Sequence, residues 1–214
     1  MSYAIMKFYK KKKSEINQME KINKRINIDF IVNSGNKLNY DLIPCSNYMK
    51  KIKNEINERY KVNRKIRKDT VFCTEFIFTS DKNFFETLKE NEEKLFFEKS
   101  LEFVQNLVDK KNILFATVYK DIEIPEIHIG FIPLTQDGRL SFKSFICGRK
   151  SMVLLQDNYY KFISQYFPQL ERGKSAQNTR ARQKEFLFDE IRDLKEEVES
   201  LKNEINKIKS VVNL

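Results

Sequence analysis

The sequence predicts an α+β fold followed by a C-terminal coiled-coil helix. Three observations carry this reading. Thr70–Thr79, Ile113–Tyr119 and Glu126–Ile132 are dense in β-branched and aromatic residues, or alternate with a period of two. The segments between them place apolar residues every three or four positions. From Leu187 to Val212 apolar residues alternate spacings of four and three without a break. The first pattern marks strands, the second amphipathic helices, the third a heptad seam.

The 214 residues fit one domain of about 100–200 residues plus an appendage. The division expected is a globular domain over 1–170, a basic linker over 171–182 and a coiled coil over 183–214. Hydrophobic residues make up 41%, enough for a core, and the net charge of +10 calls for an anionic partner. Nucleic acid comes first, because basic surfaces attract the phosphate backbone irrespective of sequence. An acidic membrane surface comes second. No apolar run is long enough to span a bilayer, and the N-terminus runs straight into lysines rather than a signal peptide. Cys45, Cys73 and Cys147 are odd in number and widely spaced. They fit reduced thiols in a cytoplasm and argue against a zinc site.

Taken in order, Ser2–Tyr9 reads as a strand ending at Lys10, Lys11, Lys12 and Lys13. Ser14 can cap a helix to about Arg25, with Ile16, Met19, Ile22 and Ile26 on its apolar face. Asn33–Asn36 is a turn and Lys37–Leu42 a short extended segment. Ser46 can cap a second helix carrying Tyr48, Ile52 and Ile56 on one side. Lys61–Lys68 holds five basic groups, Lys61, Arg64, Lys65, Arg67 and Lys68. This is either a solvated loop or a phosphate-binding strip. Thr70–Thr79 is the strongest strand. A phenylalanine-rich helical region follows from Ser80 or Asp81 to about Lys110. Asp137-Gly138 should turn into a further strand near Leu140–Phe145. Met152–Phe167 should be a helix stopped by Pro168.

Ile113–Pro133 is the centre of the domain: two strands joined by a turn near Asp121–Pro125. Glu126 and His128, the only histidine, point the same way from the second strand. They can converge on a metal ion or a phosphate, although a lone strand histidine is more often simply hydrogen-bonded.

In the tail, Ile191, Val198, Ile205 and Val212 occupy a positions, and Leu187, Leu194, Leu201 and Ile208 occupy d positions. β-Branched a with mainly leucine d favours a parallel two-stranded coil. Glu190, Glu197 and Glu204 at g and Lys195, Lys202 and Lys209 at e match only in parallel register. The alternative is a single amphipathic helix folded back on its own domain. From Gln183 to Leu214 there are 6 basic and 8 acidic side chains, which leaves a net +12 on the remainder.

Several blocks, in order, resemble the MobV-type (Mob/Pre) plasmid mobilisation relaxases, also called plasmid recombination enzymes. They are the opening Met1-Ser2-Tyr3, Ile22-Asn23-Lys24-Arg25, Leu38–Leu42, Arg67-Lys68-Asp69 before a strand, the pair of strands around Asp121, Pro125, Gly130 and Pro133, and Leu170–Gly173. The resemblance spans nearly the whole chain. It implies an antiparallel sheet flanked by helices, the histidine-hydrophobic-histidine nuclease arrangement. It also implies a metal-dependent nicking activity at a hairpin-bearing transfer origin.

The family's nucleophilic histidine falls at Ile22, which cannot attack and is expected to pack with Ile16 and Met19. Its metal-binding histidines fall at Tyr119, Glu126 and His128, and a family acid falls at Ile122. What remains for Mn²⁺ or Mg²⁺ is Asp121, Glu126 and His128. Tyr40 and Tyr119 are the candidates for a substitute nucleophile. The resulting expectation is a pseudo-relaxase of a mobile element that binds hairpin or single-stranded DNA as a homodimer without efficient cleavage, DNA being favoured over RNA. Arg25, Arg64, Lys65, Arg67 and Lys68 should contact phosphate, with Lys10–Lys13 next. The alternatives are a protein-binding inhibitor or adaptor of a host nucleic-acid-targeting complex, and a nickase using a substitute tyrosine.

Overall fold

The computed structural model describes residues 1–26, 38–173 and Val198. The chain divides into two units, Met1–Gly173 and Lys174–Leu214. The linker from Lys174 and the heptad positions lie outside the described residues, except Val198, which is helical and 49% exposed.

The first unit follows the order β1 (Ser2–Lys12), α1 (Ile16–Asn23), β2 (Tyr40–Ile43), α2 (Tyr48–Arg59), β3 (Val71–Thr79), α3 (Lys82–Thr87), α4 (Glu90–Leu107), β4 (Ile113–Tyr119), β5 (Glu126–Phe131), α5 (Gly148–Ile163) and β6 (Leu170–Arg172). The strands form one sheet in the order β2-β4-β5-β3-β1-β6. Four neighbouring pairs are antiparallel, but β6 runs parallel to β1, with Ser2 opposite Leu170 and Ala4 opposite Arg172. The sheet is therefore mixed, not antiparallel. The expected linker also starts too early, since 171 and 172 belong to the edge strand.

Period two sorts side chains between the two faces. Phe76, Phe78, Ala116, Val118, Ile127 and Ile129 pack against α4 and α5, with Phe96, Phe97, Phe103 and Tyr159. Each such buried aromatic contributes roughly 1.5–3 kcal/mol. The opposite face packs Cys73 and Phe115 against α1 and α2 through Ile16, Met19, Tyr48 and Ile52. Phe115 and Tyr48 stack with ring centroids 4.5 Å apart. This second face carries the candidate site.

Several boundaries differ from expectation. β1 continues through Lys12, because Lys10 and Lys11 pair with Thr74 and Cys73. A short 3₁₀ turn, Lys13–Glu15, then precedes α1, so Ser14 is not its cap. Asn47, not Ser46, caps α2 by accepting from the Lys50 N–H. Asp81 caps α3, and the phenylalanine-rich region breaks into two helices at Leu88 and Lys89. No strand forms over Leu140–Phe145. Leu140 makes one isolated bridge to Leu134, and Phe142–Ser144 coils into a 3₁₀ turn that buries Phe142. α5 starts at Gly148 and ends at Ile163, a turn before Pro168. No helix among the described residues is long and apolar enough to cross a membrane.

Candidate functional site

α1 lies across the second face and brings its last turn to Glu75 in the middle of β3 and to Tyr119 at the end of β4. Ile16, Met19 and Asn23 share the inward stripe and are buried. Ile22 does not pack with them as expected; it is 43% exposed. The reason is rotational: in the last turn the inward position belongs to Asn23, which sets Ile22 to one side. Asn23 Nδ2 donates to Glu75 Oε1 at 3.0 Å, and its backbone carbonyl accepts the Tyr119 hydroxyl at 2.8 Å.

Glu75 is the residue that sequence reasoning missed. It is the single charged side chain in β3, and it is buried. Its Oε1 lies 3.0 Å from His128 Nδ1, while His128 Nε2 lies 2.7 Å from Glu126 Oε1. Lys11 Nζ completes the cluster, 3.8 Å from Glu75 Oε2. Burial works against the charged ring, but the carboxylates of Glu126 and Glu75 outweigh it and hold the imidazole pKa above its usual value. Burial likewise favours neutral Glu75, but His128, Asn23 and Lys11 outweigh it and hold the carboxyl below its usual range. The cluster is a carboxylate–imidazole–carboxylate chain with a lysine beside it.

Asp121 does not join Glu126 and His128. Arg25 donates to it twice, Nε to Oδ2 at 2.8 Å and Nη2 to Oδ1 at 2.9 Å. That bidentate bond pulls the Asp121 pKa down and the Arg25 pKa up. The Arg25 guanidinium also lies over the Tyr119 ring, 4.2 Å from its centroid. Asn39 Oδ1 accepts from the backbone N–H groups of Lys120 and Asp121, which fixes the turn. Among the described residues no group of three or more His, Cys, Asp or Glu side chains is arranged to hold a metal.

Beside this lies a cavity of about 260 Å³ lined by Lys24, Arg25, Asn39, Tyr40, Tyr48 and Tyr119, among others. Both candidate tyrosines line it. Tyr119 is 1% exposed, and its pKa is raised, chiefly by burial. Tyr40 is pushed up to about 12 by burial and by Glu93, Glu98 and Glu90.

The basic candidates do not form one patch. Arg64, Lys65, Arg67 and Lys68 are exposed on the loop between α2 and β3, and no ion pair among the described residues engages them. That loop is tied to a turn by the Lys61 N–H, which donates to the Gly138 carbonyl at 3.0 Å. The lysine run is split by the strand's alternation. Lys11 faces Glu75, while Lys10 Nζ lies 4.4 Å from the Phe142 ring centroid on the other side. Arg25 reaches the cavity but is already committed to Asp121.

A helix-backed mixed sheet thus carries this cluster between α1 and the strands. Residues 1–187 match the family described as plasmid recombination enzyme, Mob_Pre. The chain belongs to that family. It is 36% identical over 186 residues to plasmid recombination enzyme type 1 of Staphylococcus aureus, covering 84% of this chain and 46% of the relative. It is 33% identical over 189 residues to the type 3 enzyme of Mammaliicoccus lentus, covering 85% and 46%. The chain thus spans less than half the length of these curated relatives. Among solved structures it resembles the MobM relaxase domain bound to a 22-nucleotide plasmid pMV158 oriT DNA, an Mn-bound crystal structure. The TM-score is 0.74 at 35% identity, over 80% of this chain and 91% of that one. The same domain bound to 26-nucleotide oriT DNA gives a TM-score of 0.69 at 32% identity.

Proposed function

We propose that this chain is a DNA-binding pseudo-relaxase of a plasmid or other mobile element. It grips hairpin or single-stranded DNA and does not cut it efficiently. The observation that carries this is the state of the two positions where the family resemblance puts the nucleophile and a metal ligand. Ile22 has no nucleophilic atom, and the Tyr119 hydroxyl is buried and spent on the Asn23 carbonyl. In-line attack on a phosphodiester needs a nucleophile and charge neutralisation at the phosphate.

DNA binding is supported by the relatives crystallised with oriT DNA and by the net charge of +10. Arg64, Lys65, Arg67 and Lys68 supply phosphate contacts on the open loop. Tyr40, half-buried at the cavity, offers its ring to an unpaired base. The heptad seam from Leu187 to Val212 pairs two chains in parallel.

The test is a gel-shift panel of single-stranded, duplex and hairpin DNA and RNA, run beside supercoiled plasmid incubated with Mn²⁺. The expected result is salt-sensitive retention of hairpin or single-stranded DNA, with the plasmid left supercoiled. Nicked, protein-linked plasmid overturns the non-cleaving part. Indifference to every nucleic acid at low salt overturns the whole reading.

A further inference from the structure

We infer that the position where the relatives' fold carries its divalent ion is filled in this chain by its own charges, and that the protein takes up no Mn²⁺ there. The inference goes beyond the DNA-binding reading and does not depend on it.

The donor atoms are accounted for one by one. The resemblance places metal ligands at Tyr119, Glu126 and His128. The Tyr119 hydroxyl donates to the Asn23 carbonyl, and the guanidinium of Arg25 covers its ring. A buried phenol hydrogen-bonded to a carbonyl is a poor ligand beside a thiolate, imidazole or carboxylate. His128 faces a carboxylate oxygen with each ring nitrogen, Glu75 on one side and Glu126 on the other. Neither nitrogen directs a lone pair at open space, as a metal-bound imidazole must. Asp121, the remaining carboxylate, closes a two-point bond on Arg25, and its side chain is 0% exposed.

Charge balance points the same way. Two carboxylates, Glu75 and Glu126, hold the His128 ring between them, and Lys11 lies 3.8 Å from Glu75, so the cluster closes on itself. Arg25 and Asp121 form a second closed pair at the cavity. A divalent ion entering here must break hydrogen bonds of 2.7–3.0 Å and displace a cation that is already paired. Carboxylates alone bind Mn²⁺ well only when several are free to turn toward it.

The experiment titrates Mn²⁺ into the full chain without DNA and follows the electron paramagnetic resonance signal of the free ion. The wild type is expected to leave the signal as in a blank without protein. Mn²⁺ and EDTA should also leave its melting temperature unchanged. The double variant Tyr119→His with Glu126→His rebuilds a three-imidazole set with His128 and should remove one Mn²⁺ per chain from the signal. Uptake of Mn²⁺ by the wild type that disappears in His128→Ala overturns the inference, whether or not the double variant folds. In a separate arm, equal DNA affinity in EDTA and Mn²⁺ supports it, and a tenfold loss in EDTA overturns it. If no DNA binds at all, the DNA-binding reading fails, and the Mn²⁺ titration still decides this one.

Discussion

Arg25 adopts a left-handed backbone conformation (φ 55°), and from it delivers its guanidinium to Asp121, 96 residues away. Non-glycine residues pay of order 1–3 kcal/mol for such a backbone, and it persists only where the surroundings over-determine it. Here the bidentate bond, the Tyr119 ring and the closing turn of α1 do so. Arg25→Ala keeps the strain and removes the two-point partner of the Asp121 carboxylate while uncovering it to water, so it should cost about 1–3 kcal/mol. Urea denaturation checks this. A loss below about 1 kcal/mol would show that Asp121 finds another partner or protonates.

The Glu75–His128–Glu126 cluster ties stability to pH. His128 has a folded pKa above 6.5, so its contribution is complete below about 6.5 and is lost as pH rises through the folded value. Glu75 has a folded pKa below 4.5, so its contribution is complete above about 4.5 and is lost as pH falls through the folded value. The cluster therefore stabilises most between those ordinary values. Urea midpoints across pH 4 to 9 should fall on both sides of this window (about two units wide, from the shifts above). His128→Gln should flatten the alkaline limb; an unchanged limb would assign it to another group.

The strip at Arg64, Lys65, Arg67 and Lys68 is predicted to bind phosphate without supporting the fold. Changing all four to alanine should reduce the salt slope of DNA binding by about 3, at roughly 0.7–0.9 per phosphate contact. The melting temperature should stay within about 2 °C, since exposed substitutions are nearly neutral. A slope that does not move places the interface elsewhere.

Gly130 in β5 makes room for Phe115. A β-carbon at 130 would sit 2.2 Å from Cε1 of that ring, and the ring is itself stacked on Tyr48 of α2. Gly130→Ala should therefore destabilise by about 1–3 kcal/mol through overpacking. It should also loosen α2, which calorimetry and hydrogen exchange of Ile52 can read. Gly130→Ala together with Phe115→Leu should recover part of the loss.

Dimerisation is tested by sedimentation of the full chain against one ending at Gly173. The full chain is expected to sediment as two copies, and the shorter one as a monomer. A monomeric full chain would leave the heptad seam as a single amphipathic helix.

Much of the architecture was legible in the sequence because burial writes itself as periodicity. β3, β4 and β5 stand out by their β-branched and aromatic runs, and α1 by its stripe of Ile16 and Met19. The edge strand β6 was not legible: three residues, Leu-Glu-Arg, carry no period, and only their pairing with Ser2–Ala4 makes them a strand. The site was half legible. Glu126 and His128 were brought together as their spacing requires. Asp121 was not, because Arg25 competes for it, and no local pattern announces a partner 96 residues away. Glu75 was overlooked inside an apolar run. Its signal was that a lone acid there must find a proton donor, and β5, carrying His128, is the neighbouring strand in the sheet.

The parallel pairing of Ser2–Ala4 with Leu170–Arg172 has a mechanical corollary. Pulling on the two ends of this domain loads that short ladder first. Because the strands run the same way, Met1 and Gly173 leave from opposite ends of the ladder, so tension shears three residue pairs before it reaches the helix-covered interior. Gly173 therefore departs beside Ala4, and a fusion at Met1 emerges at the other end of the same short ladder. Joining the two ends with a short connector, and reopening the chain on an exposed loop, should leave the sheet order intact.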